Sequence, residues 1–357
     1  MIRAIVLLMS LLLVLPVKAQ TGTEISKELG LPYWAPGRGE VDHDALRRRS
    51  LNVLERQYSA FVVASEELHD SAIAYCDADA PREDVVTAFR AAWLAWAPLD
   101  SYQFGPVEFN GAVLSVNFWP DKKNFTGRAL AGLLKQPLQS QRDPATIAAA
   151  SAAVQGLPAI EMLLFTEAPE CPAITGVSGF LAQMAQRLYD DWFGPDGWAD
   201  LARAAGPDNP VYLSAEEFTK TLYTALDFGL IRISEQRLGR PLGTFDRSFP
   251  TRAEAWRSGL SNAIIGAQLD GVAAMIREGF AGDIRDPDRA WVLKVIGQTQ
   301  TRLDRVALPI SDAVADPVSR VRVEVLKQKV DALRLSLAED IGPGLGVDTG
   351  FSPADGD

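Results

Sequence analysis

Apolar side chains recur three and four residues apart along much of this 357-residue chain. The two clearest stripes lie near the ends of the chain, at Leu54, Tyr58, Phe61, Ser65 and Leu68 and at Val323, Leu326, Val330, Leu333 and Leu337. This spacing places the side chains on one face of an amphipathic helix. The sequence has no alternating apolar and polar runs joined by hairpin turns, so it predicts an all-α fold built from helix bundles.

The same period continues through most of the chain. The predicted helical segments before the C-terminal helix are 42–73, 81–98, 127–134, 144–165, 179–205, 214–238, 252–278 and 287–306. Between residues 99 and 126 the period is lost, around Gly105-Pro106 and Trp119-Pro120. Irregular stretches of this length often carry function.

The stretch 168–172, which contains two prolines and a cysteine, is the best candidate for a domain boundary. We therefore predict two helical-bundle domains, at residues 20–167 and 168–341. A tail rich in Gly and Asp follows at 342–357.

Residues 1–19 have the pattern of a cleaved secretory signal peptide. Arg3 precedes an apolar run that ends at Leu15, and Ala19 is a small residue at the predicted cleavage site. The alternative is a membrane anchor, but the run is shorter than the roughly 20 residues that span a bilayer. We therefore expect a periplasmic protein whose mature chain has no transmembrane segment.

Composition narrows the classes of partner. The chain has 46 acidic and 35 basic residues and a formal net charge of −11, so no overall positive field attracts nucleic acid. It contains only two histidines and two cysteines, which excludes a metal cluster rich in these residues.

Export changes how the two cysteines are interpreted. Cys76 and Cys171 pair as a disulfide if the protein reaches an oxidising compartment, and two buried thiols are the alternative. We favour the disulfide. A redox pair is disfavoured because the two residues do not have the Cys-x-x-Cys spacing.

Familiar enzyme motifs are missing from the sequence, including the Gly-x-Ser-x-Gly elbow and the His-Glu-x-x-His zinc helix. His43 lies between two aspartates at a predicted helix start, where a capping or solvated role is favoured. His69 lies among acidic residues near a predicted helix end. It is interpreted as a surface histidine, with metal ligation as the alternative.

Several segments occur in a characteristic order over most of the mature chain. They are Phe104-Gly105-Pro106-Val107, Phe118-Trp119-Pro120-Asp121, Gly156 to Phe165, Gly239 to Gly243, Ala253 to Gly259 and Gly350 to Asp357. Together they resemble the imelysin-like proteins of the bacterial envelope. The resemblance implies two helical-bundle domains with a site near their interface.

The signature of that family is Gly-x-His-x-x-Glu, which places a histidine and a glutamate on one helix face, where they can bind a metal or position a base. Here it is Gly156, Pro158 and Glu161, so the histidine is replaced by proline. A proline offers no ligand or base, and inside a helix it removes a backbone donor and kinks the chain.

The resemblance implies a set of ligand-binding residues, namely Gly156, Glu161, Arg240, Glu254, Arg257 and Ser258. Glu161 is also the predicted metal ligand, and a buried acid paired with an arginine is the alternative. Trp93, Trp96 and Trp119 are interpreted as core or loop residues. Asp355 and Asp357 are expected in a solvated tail.

The family was first classified among metallopeptidases, and many members are linked to iron-regulated uptake. Since the signature histidine is absent, we predict a non-catalytic periplasmic binding protein connected with iron or another metal, with a cleft at the domain interface. Its expected partners are a metal ion or small ligand and an envelope protein, but no nucleic acid. The alternatives are a metal-dependent peptidase or hydrolase that uses Glu161, and an envelope scaffold.

Overall fold

The computed structural model describes residues 41–108, 111–167 and 169–347. The predicted signal peptide and the aspartates of the C-terminal tail lie outside these residues. Within the described ranges no strand forms, and one isolated β-bridge joins Thr244 to Arg247. The prediction of an all-α fold is confirmed.

The α-helices are joined by connections of very different length, of which the longest, 243–260, has 18 residues. In chain order they are α1 His43–Asp77, α2 Arg82–Leu99, α3 Ala112–Val116, α4 Phe125–Leu133, α5 Leu138–Arg142, α6 Pro144–Ala148, α7 Gly156–Leu164, α8 Cys171–Phe193, α9 Trp198–Arg203, α10 Ala215–Ile231, α11 Arg240–Leu242, α12 Ser261–Ala274, α13 Asp286–Asp304, α14 Ile310–Ala313 and α15 Pro317–Ser336. None of these described helices has the length and apolar character needed to cross a membrane.

Three of the long helices continue into wider π-helical turns. These turns are Arg232–Gly239 after α10, Met275–Gly279 after α12 and Leu337–Ile341 after α15. The first of them joins α10 to α11 and places two arginines of the molecular interior, Arg232 and Arg237, on one segment.

Side-chain caps account for several helix starts. The carboxylate of Asp143 accepts from the backbone N–H groups of Ala145 and Thr146 at the start of α6, and Ser214 Oγ accepts from Glu217 N at the start of α10. Each cap satisfies backbone donors that a first helical turn leaves without a partner. Both starts agree with the sequence prediction.

Three predicted helices are wrong in extent. The segment 179–205 divides into α8, which begins at Cys171, and α9, with residues 194–197 between them. The segment 144–165 is broken into α6, a 3₁₀ turn and α7, because Ser151 and Gln155 have extended backbones and Gly156 has a φ of +73°. The segment 252–278 becomes helical only from Ser261, since Ala255 and Gly259 have φ values of +49° and +66°. Left-handed residues of this kind cannot continue an α-helix.

The core is built around α1, which packs against α2 and α8. Its aromatic contacts include Phe61 against Trp96 and Tyr58 against Trp192, with ring centroids 5.2 and 5.8 Å apart. Buried apolar side chains from Leu46 to Leu345 form one contiguous cluster. The division into two helical-bundle domains at residue 168 stays a prediction.

A disulfide joins Cys76 at the end of α1 to Cys171 at the start of α8. The two Cα atoms are 5.4 Å apart, and the bond closes a loop between positions separated by 95 residues. The predicted pairing is confirmed. It ties together two helices that also pack side by side in the core.

The two histidines have structural partners. His43 Nδ1 lies 2.9 Å from Thr219 Oγ1, and His69 Nδ1 lies 3.2 Å from Ser178 Oγ. Burial lowers the pKa of His69, against the opposing charge of Asp70. Neither side chain lines the cleft described below.

Candidate functional site

A cavity of about 720 Å³ lies where separate segments of the chain meet. Its walls come from 118–126, 158–162 and 251–257, with Trp93 and Arg240 completing them. We call this cavity the cleft. The irregular stretch that the sequence flagged between residues 99 and 126 therefore supplies one of its walls.

Glu161 is the buried acid of the cleft. It lies on α7 and is only 3% exposed. Its Oε1 accepts from both the backbone N–H and the hydroxyl of Ser258, at 2.8 and 2.7 Å. Burial raises the pKa of Glu161 above its ordinary value, although these hydrogen bonds and the charge of Arg257 oppose the shift. Glu161 and Ser258, two of the predicted site residues, are thus in direct contact.

The raised pKa of Glu161 makes stability depend on pH. Because its pKa is higher in the folded state, Glu161 holds a proton more tightly there than in the unfolded chain. The stabilisation that this gives the folded state is fully present below the ordinary pKa of 4.5 and is lost as pH rises through the pKa of the folded state. Glu161→Gln, which keeps an acceptor for Ser258, is expected to be more stable than the wild type at pH 7 and to depend less on pH.

Urea unfolding between pH 4 and pH 8 measures this effect. The matched control is Glu67→Gln, since Glu67 is an exposed glutamate on α1 outside the cleft. If Glu161→Gln has the same pH profile as the wild type, ionisation of Glu161 does not oppose folding.

Gly156 and Pro158 begin α7. A Cβ on Gly156 would lie 2.1 Å from the carbonyl oxygen of Val116, so only glycine allows α3 and α7 to approach so closely. Pro158 is the third residue of α7 and lines the cleft. In a first turn the missing N–H has no intrahelical acceptor to lose. The expectation that Pro158 acts as an interior helix proline is therefore wrong.

Glu254 lies behind the cleft wall, since it is not among the side chains that line the cavity. It is 1% exposed and accepts from Asn117 Nδ2 at 2.7 Å and from Arg237 Nε at 2.5 Å. Arg237 also donates to Asp100 at 2.6 Å, and Arg232 donates to the same Asp100 oxygen at 2.5 Å.

We call Asp100, Arg232, Arg237 and Glu254 the buried charge network. Burial lowers the pKa of Arg237, but the carboxylates of Glu254 and Asp100 more than offset this and the pKa lies above its ordinary value. Arg237 therefore stays charged in the interior. Glu254, a member of this network, lies four residues before Ser258 in the sequence.

Positive side chains dominate the cleft. Arg240 and Arg257, both predicted, line it together with three that sequence reasoning missed, namely Lys122, Lys123 and Arg252. The signal for the two lysines was the run Asp121-Lys122-Lys123 within an irregular stretch. Arg252 had no such signal, because its segment was predicted to be helical.

Asp121 is the other acid in the cleft, and its carboxylate is held by backbone donors. It accepts from the N–H groups of Lys123, Phe125 and Thr126 at 3.2, 2.8 and 2.8 Å. Burial raises the pKa of Asp121, but these hydrogen bonds outweigh it and the pKa lies below its ordinary value. Asp121 is thus ionised and fixes the start of α4.

The donor set does not fit a metal ion held by the protein alone. Among the described residues no group of three or more His, Cys, Asp or Glu side chains could hold one. A single carboxylate rarely retains a transition metal without further ligands, and the signature histidine is Pro158. Metal ligation by Glu161 stays a prediction.

A family model described as imelysin matches residues 55–338. The chain therefore belongs to the imelysin family.

Two solved structures share the fold. One is an imelysin-like protein from Psychrobacter arcticum 273-4, with a TM-score of 0.72 and 18% identity over 88% of this chain and 100% of that chain. The other is a protein from Parabacteroides distasonis ATCC 8503, named as an iron-regulated protein A precursor, with a TM-score of 0.67 and 12% identity over 85% of this chain and 96% of that chain. No match is found among curated proteins.

Proposed function

We propose that this protein is a non-catalytic binding protein of the periplasm that takes up a ligand connected with iron or another metal in the cleft. The observation that carries the proposal is the set of cationic side chains around the buried carboxylate of Glu161. Such convergence of charged groups in a concave site is typical of ligand recognition.

The chemistry of the cleft favours binding over catalysis. Glu161 Oε1 already accepts two hydrogen bonds from Ser258, and the signature position that would supply an imidazole is Pro158. Among the described residues no histidine lines the cleft to work with Glu161 as an acid or base.

Two observations outside the cleft support the proposed periplasmic location and the proposed link to iron. The predicted signal peptide at residues 1–19 supports export to the periplasm. The name of the Parabacteroides distasonis protein, which shares the fold, supports the link to iron.

Calorimetric titration of residues 20–357 with ferric citrate tests the proposal. Saturable binding is expected, weakened roughly tenfold or more in Arg257→Met, because that variant removes a charged hydrogen-bond donor. The matched control is Arg48→Met, an exposed arginine that does not line the cleft, and it should bind like the wild type.

Two results would contradict the proposal. One is the absence of binding to ferric citrate and to ferrous, ferric and zinc ions, which leaves the scaffold alternative. The other is release of peptides from casein that disappears in Glu161→Ala, which identifies a hydrolase.

A further inference from the structure

The charge of the cleft is opposite to that of the whole chain. The protein carries a formal net charge of −11, whereas five cationic and two acidic side chains line the cleft. An excess of three positive charges is thus concentrated in a cavity of about 720 Å³. Concave sites lined by one sign of charge focus the field and attract ligands of the opposite sign.

These positive charges form no close ion pair within the described part of the chain, although the nearby charges of Glu161 and Asp121 partly offset that of Arg257. Ion pairs closer than 4.0 Å form elsewhere in the described residues, but none involves Lys122, Lys123, Arg240, Arg252 or Arg257. The two acids of the cleft are engaged by other donors, Asp121 by backbone N–H groups and Glu161 by Ser258.

Arg240 has an unsatisfied donor in the cleft. Its Nε is buried and has no hydrogen-bond partner. Burial and the nearby charge of Arg252 both lower the pKa of Arg240, so the two guanidinium groups repel each other. A buried donor without an acceptor is costly, and a negatively charged acceptor between the two arginines would relieve both costs.

Aromatic rings orient two of the guanidinium groups. Arg252 lies over the ring of Phe249, with Cζ 3.7 Å from the centroid, and Arg257 lies over Trp256 at 4.4 Å. Stacking occupies the flat face of a guanidinium and leaves its N–H edges for other partners. Those edges match the paired oxygens of a carboxylate or phosphate group.

The cleft is unfavourable for a bare metal cation. It would enter a region with an excess of positive charge, and the carboxylates available to it are Asp121 and Glu161, both already hydrogen bonded. Hard cations such as Ca²⁺ need six or more oxygen ligands, and transition metals need further nitrogen or sulfur donors. The cleft offers neither set.

We infer that the cleft recognises the oxyanion groups of its ligand, carboxylate or phosphate, through Arg240, Arg252 and Arg257. This inference rests on the proposed function of the cleft as a binding site and specifies the class of its ligand. A metal would then arrive as part of an anionic complex, with its ligands supplied by the complex.

Calorimetry with metal-free anions tests the inference. Residues 20–357 are titrated with citrate, a tricarboxylate, and with pyrophosphate. The anion that binds more tightly shows whether the cleft prefers carboxylate or phosphate groups. Saturable binding is expected, weakened roughly ten- to hundredfold in the double variant Arg240→Met/Arg252→Met. Arg48→Met is the control and should leave binding unchanged.

Two further readouts separate recognition from a structural role. Arg252→Lys keeps the charge but loses the two-pronged donor, so it should bind less tightly than the wild type and more tightly than Arg252→Met. Arg240→Met should raise the melting temperature of the ligand-free protein, because it removes an unpartnered buried donor and a charge repulsion.

The outcomes distinguish this inference from the proposed function. Ferrous chloride that binds more tightly than either anion and loses binding in Glu161→Gln would overturn the inference and leave the proposed function standing. Equal anion binding by the wild type and the double variant would also overturn it. Absence of binding to both anions, to ferrous chloride and to ferric citrate would overturn both.

Discussion

Gly156→Ala is expected to lower the free energy of unfolding by about 3 kcal/mol or more. Two costs add at this position. The residue has a φ of +73°, which costs an L-amino acid about 1 to 2 kcal/mol. The new Cβ would also lie 2.1 Å from the carbonyl oxygen of Val116 and 2.4 Å from that of Ser115. These are backbone atoms of α3, so the contact is relieved only if a helix moves.

Gly111→Ala is the matched control for this effect. Gly111 has a similar φ of +69°, but a Cβ there would meet no atom within 4 Å. We expect Gly111→Ala to lower the free energy of unfolding only by the conformational cost, about 1 to 2 kcal/mol. Urea unfolding of both variants isolates the contact between α3 and α7. Equal losses would show that the backbone contact is relieved without cost.

Movement of α7 would also reach the cleft, because Glu161 and Pro158 lie on that helix. Gly156 is therefore assigned an indirect role, as the residue that sets the position of α7. Where Gly156→Ala remains folded, its binding of ferric citrate should fall together with its stability.

Arg237→Met has the second large expected effect, a loss of about 3 to 5 kcal/mol in the free energy of unfolding. Arg237 is 2% exposed and pairs with both Asp100 and Glu254, which are each 1% exposed. Removing the guanidinium leaves Glu254 without a cation and leaves Asp100 with Arg232 alone. Uncompensated buried charge accounts for most of the expected loss.

Chemical denaturation at pH 7 measures this loss, and two variants serve as comparisons. Arg203→Met removes an ion pair whose side chains are 49% and 53% exposed, and it should cost about 0.5 kcal/mol or less. Adding Glu254→Gln to Arg237→Met should recover part of the stability, because it removes the unpaired charge. A loss in Arg237→Met no larger than in Arg203→Met would contradict a stabilising role for the buried charge network.

The helical class of the fold could be predicted from periodicity, as α1 and α15 show. The breaks within helices could not. Residues 144–165 have an apolar pattern that continues across Gly156, whose left-handed backbone interrupts the helix and lies in close contact with Val116. That contact joins positions 40 residues apart in sequence, which a local pattern does not report.

The candidate site was predictable where a motif or a family resemblance marked it. Glu161, Ser258, Arg240 and Arg257 were found in this way, and the structure brings Glu161 and Ser258 into contact. Glu254 shows the limit of this approach. The sequence of a family block does not determine whether a glutamate side chain faces the cleft or the interior. Here Glu254 pairs with Arg237 in the interior.

The charge of the cleft could not have been predicted from composition. The net charge of −11 for the whole chain hides a local excess of opposite sign, since the lysines and Arg252 come from segments more than a hundred residues apart. Their proximity depends on how α4, α11 and the turn before α12 are placed. These charges come together only when the chain folds.

The disulfide between Cys76 and Cys171 divides the cleft-forming segments into two groups. The loop that it closes contains 118–126 and 158–162, whereas Arg240 and 251–257 lie outside it. In the denatured but oxidised chain, the segments 118–126 and 158–162 thus remain within the closed loop, whereas Arg240 and 251–257 are not restrained by it. The chain-entropy account values closure of a loop of this size at about 4 to 5 kcal/mol. The redox state of the surroundings therefore determines how much conformational entropy the chain must lose to assemble the cleft.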